Sequence, residues 1–327
     1  MDTRLAALAA ANGGHFTAAD AHDCGYDARA ISAAVRAGEW RRLRRGCFAP
    51  ADVYDELDPT ARHLVLVRAV VAKLRDRVVV THQSGSCAHG HSQWGWDMSV
   101  VHVTRLDRGS PRREAGVFHH VGSITDDDVV EHDGLLVSQE DRVVMEACSQ
   151  LSVEAGLVVA DSALHMGRVS EQDLEVRALR CREWPGSRGA RLAIWLSDGR
   201  AETAGETRSR YLFWRFAIPA PTLQYEVYDS SGLLVGRTDF AWEAYAHLGE
   251  FDGRLKYMRD AQPDEDLGAV VFREKQREDA LRCENLGMSR LVWADLERGR
   301  RARTARRFQR GLEESRHRFL RNRVVLA

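Results

Sequence analysis

Several carboxylates and two of the chain's few lysines lie close together between residues 236 and 279. The chain carries 47 lysines and arginines, and only three of them are lysines. Arginine suits fixed charge, whereas a lysine ammonium is a compact point charge that can hold a water or an oxyanion. Acids with a lysine nearby are what a divalent-metal phosphodiesterase needs. The candidate residues for this chemistry are Asp239, Glu250, Asp252, Lys256 and Lys275.

The two-residue period of β-strands predicts which of these side chains share a face. Glu250 and Asp252 lie opposite Phe251 on one predicted strand, and Asp239 lies opposite Phe240 on the strand before it. We therefore expect the aromatic residues to enter the core and the three acids to point into one cleft. Carboxylates this close repel one another unless a cation lies among them, and Mg²⁺ or Mn²⁺ prefers carboxylate oxygens. The predicted metal ligands are Asp239, Glu250 and Asp252.

A lysine amine would complete this site by steadying the attacking water or the developing charge, and Lys256 and Lys275 are both candidates. Simple ion pairs are the alternative for the acids. Asp239 could pair with Arg237 or Arg254, and Glu206 with Arg210 at i+4.

The N-terminal 54 residues predict a winged helix-turn-helix. Three short helices are expected over 2–12, 17–24 and 28–37, capped by Thr17 and Asp27 and ended by glycines. An alternating basic and apolar run then turns at Gly46, as a two-stranded wing does. The third helix would lie in the DNA major groove and expose Arg29 and Arg36. The wing residues expected to hold backbone phosphates are Arg41, Arg42, Arg44 and Arg45.

Length favours two or three domains and composition a globular protein, and the predicted elements give a multidomain protein of mixed α+β or α/β class. The formal charge is -1, but positive charge is concentrated in residues 36–45 and in the arginine-rich tail after Glu297. That tail could equally be a solvated helix face. The cysteines form no C-x-x-C pair and no signal peptide or membrane span is evident, so we expect a cytoplasmic protein. The middle histidines match no metal-ligand spacing.

The predicted elements divide the chain into three domains. Residues 1–54 form the winged helix, 55–199 an α/β connector, and 200–327 a third domain. In the third domain a helix over 206–216 precedes strands over 223–228, 233–242 and 246–252. A long helix over 264–286 and a strand over 289–293 follow, and an arginine-rich helix begins near Asp295. The order α-β-β-β-α-β is that of a restriction-endonuclease-like core.

Asp239 followed by Glu250 eleven residues later resembles the PD-(D/E)XK nuclease pattern. The Glu250-x-Asp252-Gly continuation and the segment Arg277-Glu-Asp-Ala-Leu281 resemble its very-short-patch-repair-endonuclease-like branch. Glu206 matches the first-helix glutamate of that fold, which the resemblance makes an assisting acid. Asp252 stands where the family has lysine, so Lys256 or Lys275 would supply the amine from a displaced position.

The N-terminal part resembles the AbiEi-type antitoxin winged helix found in long actinobacterial proteins of type IV toxin–antitoxin systems. The matching residues are Phe16-Thr-Ala18, Gly25, Gly38-Glu-Trp40 and Arg44-Arg-Gly-Cys-Phe-Ala49. This resemblance implies binding to double-stranded DNA, autoregulation, and a cognate toxin or a second copy of the chain as partner.

Two functions follow as hypotheses. The first is a DNA endonuclease that uses Mg²⁺ or Mn²⁺, with Asp239 and Glu250 on the metal and Asp252 and Glu206 assisting. The second is a non-catalytic transcriptional regulator or antitoxin, in which the nuclease-like fold recognises DNA shape or a partner. A scaffold for protein contacts is the third alternative.

Overall fold

A computed structural model describes residues 1–74, 78–107, 110–229, 231–253 and 286–320. Lys256, Lys275, Arg254 and all but the last residue of the helix predicted over 264–286 lie outside these ranges. The chain forms two compact units, the first being residues 1–163 with 168–195 and the second 164–167 with 196–327. The division into three domains remains a prediction. No helix in the described ranges is long and apolar enough to cross a membrane.

The first unit begins with a small helical fold that carries a β-wing. Its three-stranded sheet has the order β1-β3-β2, with β2 and β3 antiparallel. Trp40 of β2 lies in the buried core of this fold, where its ring contacts the Phe16 ring edge-to-face at 4.8 Å and the Tyr26 ring at 5.0 Å. The elements are α1 (Thr3–Ala11), β1 (Phe16–Thr17), α2 (Ala18–Asp23), α3 (Ala28–Arg36), β2 (Trp40–Arg44) and β3 (Cys47–Pro50).

The rest of the first unit surrounds a six-stranded mixed sheet of order β6-β7-β5-β4-β9-β8. Its core is rich in valine, which suits strands buried on both faces. The strands are β4 (Val78–Val80), β5 (Val101–Arg105), β6 (Arg112–Glu114), β7 (Val117–His120), β8 (Val129–His132) and β9 (Leu135–Ser138). The helices are α4 (Ala51–Tyr54), α5 (Pro59–Leu74), α6 (His82–Ala88), α7 (Glu140–Gln150), α8 (Val153–His165), α9 (Glu171–Arg180) and α10 (Ser187–Leu196).

The second unit contains a four-stranded sheet of order β10-β11-β12-β13. The pairs β10–β11 and β11–β12 are antiparallel, and β12–β13 is parallel. The described elements are α11 (Ala204–Arg215), β10 (Thr222–Tyr228), β11 (Leu234–Trp242), β12 (His247–Asp252), β13 (Gly287–Val292) and α12 (Arg301–Ser315).

One face of this sheet packs against α11 and α12. Phe240, Trp242 and Phe251 belong to the same buried cluster as Phe213 of α11 and Phe308 of α12. The prediction that the aromatic residues of the two strands enter the core is confirmed. Alternation then turns the side chains of Asp239 and Glu250 to the other face of the sheet.

Candidate nucleic-acid interface and carboxylate row

Helix α3 begins and ends where the sequence indicates. The Asp27 carboxylate accepts a hydrogen bond from the Ala30 backbone N–H at 2.7 Å, which caps the first turn. Gly25 has a φ of 87°, a left-handed conformation that glycine adopts without strain, and it ends the preceding helix. Ile31 and Ala34 are buried and fix the inner face of α3. The helix is therefore held rigidly against the core.

The outer face of α3 combines small and basic side chains. Arg29, Ala33 and Arg36 recur at i, i+4 and i+7, so they share one face, and all three are exposed. In the described ranges no salt bridge engages Arg29 or Arg36. A small side chain such as that of Ala33 lets the helix approach base edges closely, and an alanine methyl can contact a thymine methyl. An arginine can bind a guanine edge or a phosphate.

The wing presents two further arginines to solvent. Arg42 and Arg45 are exposed, and neither forms a salt bridge within the described part of the chain. The Arg42 guanidinium lies 5.7 Å from the centre of the Phe48 ring, which keeps the side chain extended beside the strand. Gly46 has a φ of 76° and makes the turn of the hairpin. Both guanidinium groups can therefore reach a phosphate backbone.

Two of the four predicted wing arginines, Arg41 and Arg44, have hydrogen-bond partners inside the protein, and their contacts with DNA stay a prediction. The Arg41 Nε donates to both carboxylate oxygens of Asp55, at 2.9 and 3.1 Å. These hydrogen bonds lower the pKa of Asp55 and raise that of Arg41. The Arg44 Nη2 donates to the Ala115 carbonyl at 3.3 Å. Their partners lie 14 and 71 residues away in the sequence, beyond the reach of a local pattern.

The strands of the second unit bring Asp239 and Glu250 together. Phe240 pairs with Gly249 across the β11–β12 ladder, and continuing this antiparallel register sets Asp239 opposite Glu250. The Asp239 Oδ2 accepts a hydrogen bond from the Phe251 backbone N–H at 2.7 Å. Glu250 is 6% exposed, and its Oε2 accepts from the Arg290 Nη2 at 3.1 Å. The predicted meeting of two acids on one face is thus present, with an arginine beside them.

Glu206 lies at the start of α11 and is 2% exposed. Its carboxylate accepts hydrogen bonds from the Thr203 hydroxyl at 2.7 Å, the Glu202 backbone N–H at 3.0 Å and the Gln224 side-chain amide at 2.8 Å. Gln224 has a φ of 51°, which is uncommon for a residue with a side chain. Arg210, the arginine at i+4 from Glu206, donates a hydrogen bond from its Nη2 to the Leu196 carbonyl at 2.7 Å. These contacts tie Glu206 to the first turn of its helix and to β10.

Metal binding by Asp239, Glu250 and Asp252 stays a prediction. Across the described residues, no group of three histidine, cysteine, aspartate or glutamate side chains is placed to hold a metal ion. Asp252 is the last residue of β12 and is partly exposed. Arg237, an alternative partner for Asp239, forms a 2.8 Å salt bridge to Glu202. Mg²⁺ keeps several of its waters and is commonly bound through one or two carboxylates, and Asp239 and Glu250 supply two on this face of the sheet.

Two histidines of the six-stranded sheet, His102 and His120, contact each other and lie beside His82 of α6. The Nδ1 of His102 lies 2.9 Å from the Nε2 of His120, and the His82 ring stacks on that of His120 at 3.5 Å. Burial lowers the pKa of His102 to about 4 and that of His120 to about 3, so both are neutral at neutral pH. They act as packed polar core residues, as their spacing indicates.

Residues 4–51 match an AbiEi antitoxin domain. The matching family is described as “Transcriptional regulator, AbiEi antitoxin”, and the matched segment contains α1 to α3 and the wing. Two uncharacterized proteins of Mycobacterium tuberculosis, from strains CDC 1551 / Oshkosh and ATCC 25618 / H37Rv, are each 29% identical to this chain over 133 residues. The alignment covers 39% of this chain and 49% of each relative. The chain therefore spans about half the length of these curated relatives.

Sequence reasoning missed three residues that shape these surfaces. Asp55 follows the AbiEi domain directly and neutralises Arg41. Gln224 holds Glu206, and Arg290 holds Glu250. Once the two strands are assigned, the parallel register that pairs Glu250 with Arg290 points to the last contact. The first two depend on tertiary packing.

Proposed function

We propose that the protein is a DNA-binding transcriptional regulator of the antitoxin type. Helix α3 of the AbiEi domain enters the major groove of double-stranded DNA, and Arg42 and Arg45 of the wing hold the backbone on either side of the turn. The observation that carries this proposal is the exposed row of Arg29, Ala33 and Arg36 on a helix rigidly capped and packed on its other face. The match of residues 4–51 to the regulator family supports it.

The test is equilibrium binding to the DNA upstream of the protein's own gene, measured by fluorescence anisotropy against a shuffled duplex. The variant R29A/R36A should lose the preference for the upstream duplex, since a good arginine–base contact contributes about 1–3 kcal/mol of discrimination. The variant R42A/R45A should weaken both duplexes alike and reduce the salt slope by about 2. R188A removes an exposed arginine elsewhere and serves as the control. Equal affinity of the wild type for both duplexes would refute the proposal.

A cognate toxin is the proposed protein partner, because the matching family is described as an antitoxin. Co-expression of the neighbouring genes tests this proposal directly. Growth arrest by one of them, relieved by this chain, supports the antitoxin function, and relief by R29A/R36A as well would separate that function from DNA binding. Self-association into a dimer is the alternative, and sedimentation at several concentrations distinguishes a dimer from a monomer.

A second candidate function is cleavage of the bound DNA by a PD-(D/E)XK-like site with Mg²⁺ or Mn²⁺ as cofactor. It is favoured by the placement of Asp239 opposite Glu250, with Glu206 buried on the neighbouring helix. Incubation of plasmid and linear DNA with either metal tests it. Cleavage that D239N abolishes without loss of DNA affinity would support this function, with E226Q on the neighbouring strand as control. If the DNA stays uncut with both metals, the nuclease function is rejected and only the regulator function remains.

A further inference from the structure

Helix α12 in the second unit presents a row of arginines to solvent. Arg303, Arg306 and Arg310 recur at i, i+3 and i+7 and are all exposed. The opposite face carries Phe308 and Leu312, which are buried in the core of the unit. The arginine row is therefore fixed outward by the packing of the helix.

Arg301 and Arg307, which are also on α12, have partners inside the protein, whereas the three arginines of the row form no salt bridge in the described ranges. Arg307 forms a 3.0 Å salt bridge with Asp295, and the Arg301 Nε donates to the Leu296 carbonyl at 2.7 Å. From Arg298 to Leu312 the sequence has seven arginines and no acidic residue, and Glu313 and Glu314 follow at i+3 and i+4 from Arg310. Glu313 lies 3.8 Å from Arg316, and in the described ranges no salt bridge joins either glutamate to Arg310. The row therefore carries an excess of positive charge that no ion pair among the described residues neutralises.

Helix stability does not explain this arrangement. The N-terminus of a helix favours acidic side chains, yet the first turn of α12 contains none and begins with arginines. Like charges at i, i+3 and i+4 repel one another. A sequence that departs from local preference in this way without an internal partner is typical of a binding surface.

The chemistry of the row selects a phosphate backbone as the partner. Arginine binds phosphate with two parallel hydrogen bonds. The exposed surface of the helix also includes Ala302 and Gln309, and Glu313 and Glu314 in its last turn, but no large apolar or aromatic residue. It therefore lacks the apolar face of a membrane-surface helix, the aromatic anchors of a protein interface and the stacking platforms for single-stranded nucleic acid. Seven residues of helix extend over about 10 Å, which is enough to contact successive phosphates of a duplex.

We propose that Arg303, Arg306 and Arg310 form a second, sequence-independent contact with duplex DNA. The proposal rests on the DNA-binding function of the AbiEi domain and extends it to the second unit. Two contacts in one chain raise the effective local concentration of each surface near the DNA, which tightens binding without adding sequence information.

The experiment compares the full-length wild type with R303A/R306A/R310A on the upstream and shuffled duplexes from 50 to 200 mM KCl. The triple variant should weaken binding to both duplexes by the same factor. The slope of log K against log[KCl] should fall by up to about 2.7, which is three contacts of 0.9 each. R303K/R306K/R310K keeps the charge and should retain most of the slope. R188A/R191A/R215A removes three exposed arginines elsewhere and should leave the slope close to that of the wild type.

An unchanged slope in R303A/R306A/R310A would overturn the proposal, and so would an equal loss in the control triple. An effect on single-stranded or RNA probes alone would overturn the assignment to duplex DNA. The two proposals fail separately. If the wild type shows no preference for the upstream duplex but the triple still loses slope, the regulator proposal fails and this one stands. If R29A/R36A abolishes the preference while the triple binds as the wild type does, the reverse holds.

Discussion

We predict that the carboxylate of Asp55 limits the proposed DNA affinity of the wing and that its removal increases this affinity. Arg41 now makes its hydrogen bonds to Asp55, and both side chains are close to half exposed, at 44% and 43%. The variant D55N removes the negative charge but keeps a side chain of the same size. We expect the Arg41 guanidinium to become available to a phosphate, because exposed ion pairs contribute little to stability and the fold should persist.

The size of the effect follows from counterion release. One added phosphate contact steepens the slope of log K against log[salt] by about 0.9. Over a fourfold change in salt, from 50 to 200 mM, D55N should lose ~3.5-fold more affinity than the wild type. At 100 mM salt the same linear law allows a gain of up to about eightfold. R41A in the wild-type background should change the slope by less than about 0.3, because the Arg41 guanidinium is already hydrogen-bonded to the Asp55 carboxylate and does not bind a phosphate.

Fluorescence anisotropy with a shuffled duplex measures these slopes, since a phosphate contact is independent of sequence. D52N is the matched control, because Asp52 is an exposed carboxylate near the wing that forms no salt bridge in the described ranges. R41A/D55N should behave as R41A does. A wild-type salt slope in D55N, or an equally steepened slope in D52N, would show that Asp55 does not withhold Arg41 from the phosphate backbone.

Two further predictions concern stability, and hydrogen exchange of the local peptides measures both. Trp40 is 1% exposed and packs on Phe16, so W40A should destabilise the AbiEi domain by about 3–5 kcal/mol. W40F should lower the free energy of unfolding by less than half as much as W40A, because phenylalanine keeps an aromatic ring against Phe16. Equal destabilisation by W40F and W40A would contradict this. Burial alone would raise the pKa of Asp128, but the Thr125 N–H and the Arg142 guanidinium lower it from 3.8 to about 2. Since the folded-state pKa is lower than the unfolded-state pKa, ionised Asp128 adds ~2.4 kcal/mol to the free energy of unfolding above pH 4. This stabilisation is lost as the pH falls to 2. D128N should remove that contribution at pH 7 and change little near pH 2, and a similar loss at both would contradict the linkage.

Local patterns predicted the winged helix well because its determinants are short-range. Thr17 and Asp27 cap their helices through hydrogen bonds to residues three positions on, and Gly46 makes the turn of the wing. The strands at 222–252 were also predictable, since the two-residue alternation of apolar side chains separates the core face from the face of Asp239 and Glu250.

Long-range contacts explain what the sequence did not predict. Helix α6 has the sequence HQSGSCA, which contains few strong helix formers, and every residue in it is buried, so tertiary packing stabilises it. Strands β6, β8 and β9 have only three or four residues each, too few to show a periodic pattern. Glu206 was predicted as an assisting acid near a metal. The structure shows it held by Thr203 and Gln224, and its catalytic function remains a prediction.

The central claim is that α3 of the AbiEi domain recognises a DNA sequence. The most direct test is repeated selection of duplexes bound by the full-length protein from a random-sequence pool, followed by sequencing. We predict that the wild type enriches one motif, present upstream of its own gene, and that R29A/R36A still binds DNA at low salt but enriches none. Enrichment of no motif by the wild type, or of the same motif by R29A/R36A, would contradict the claim.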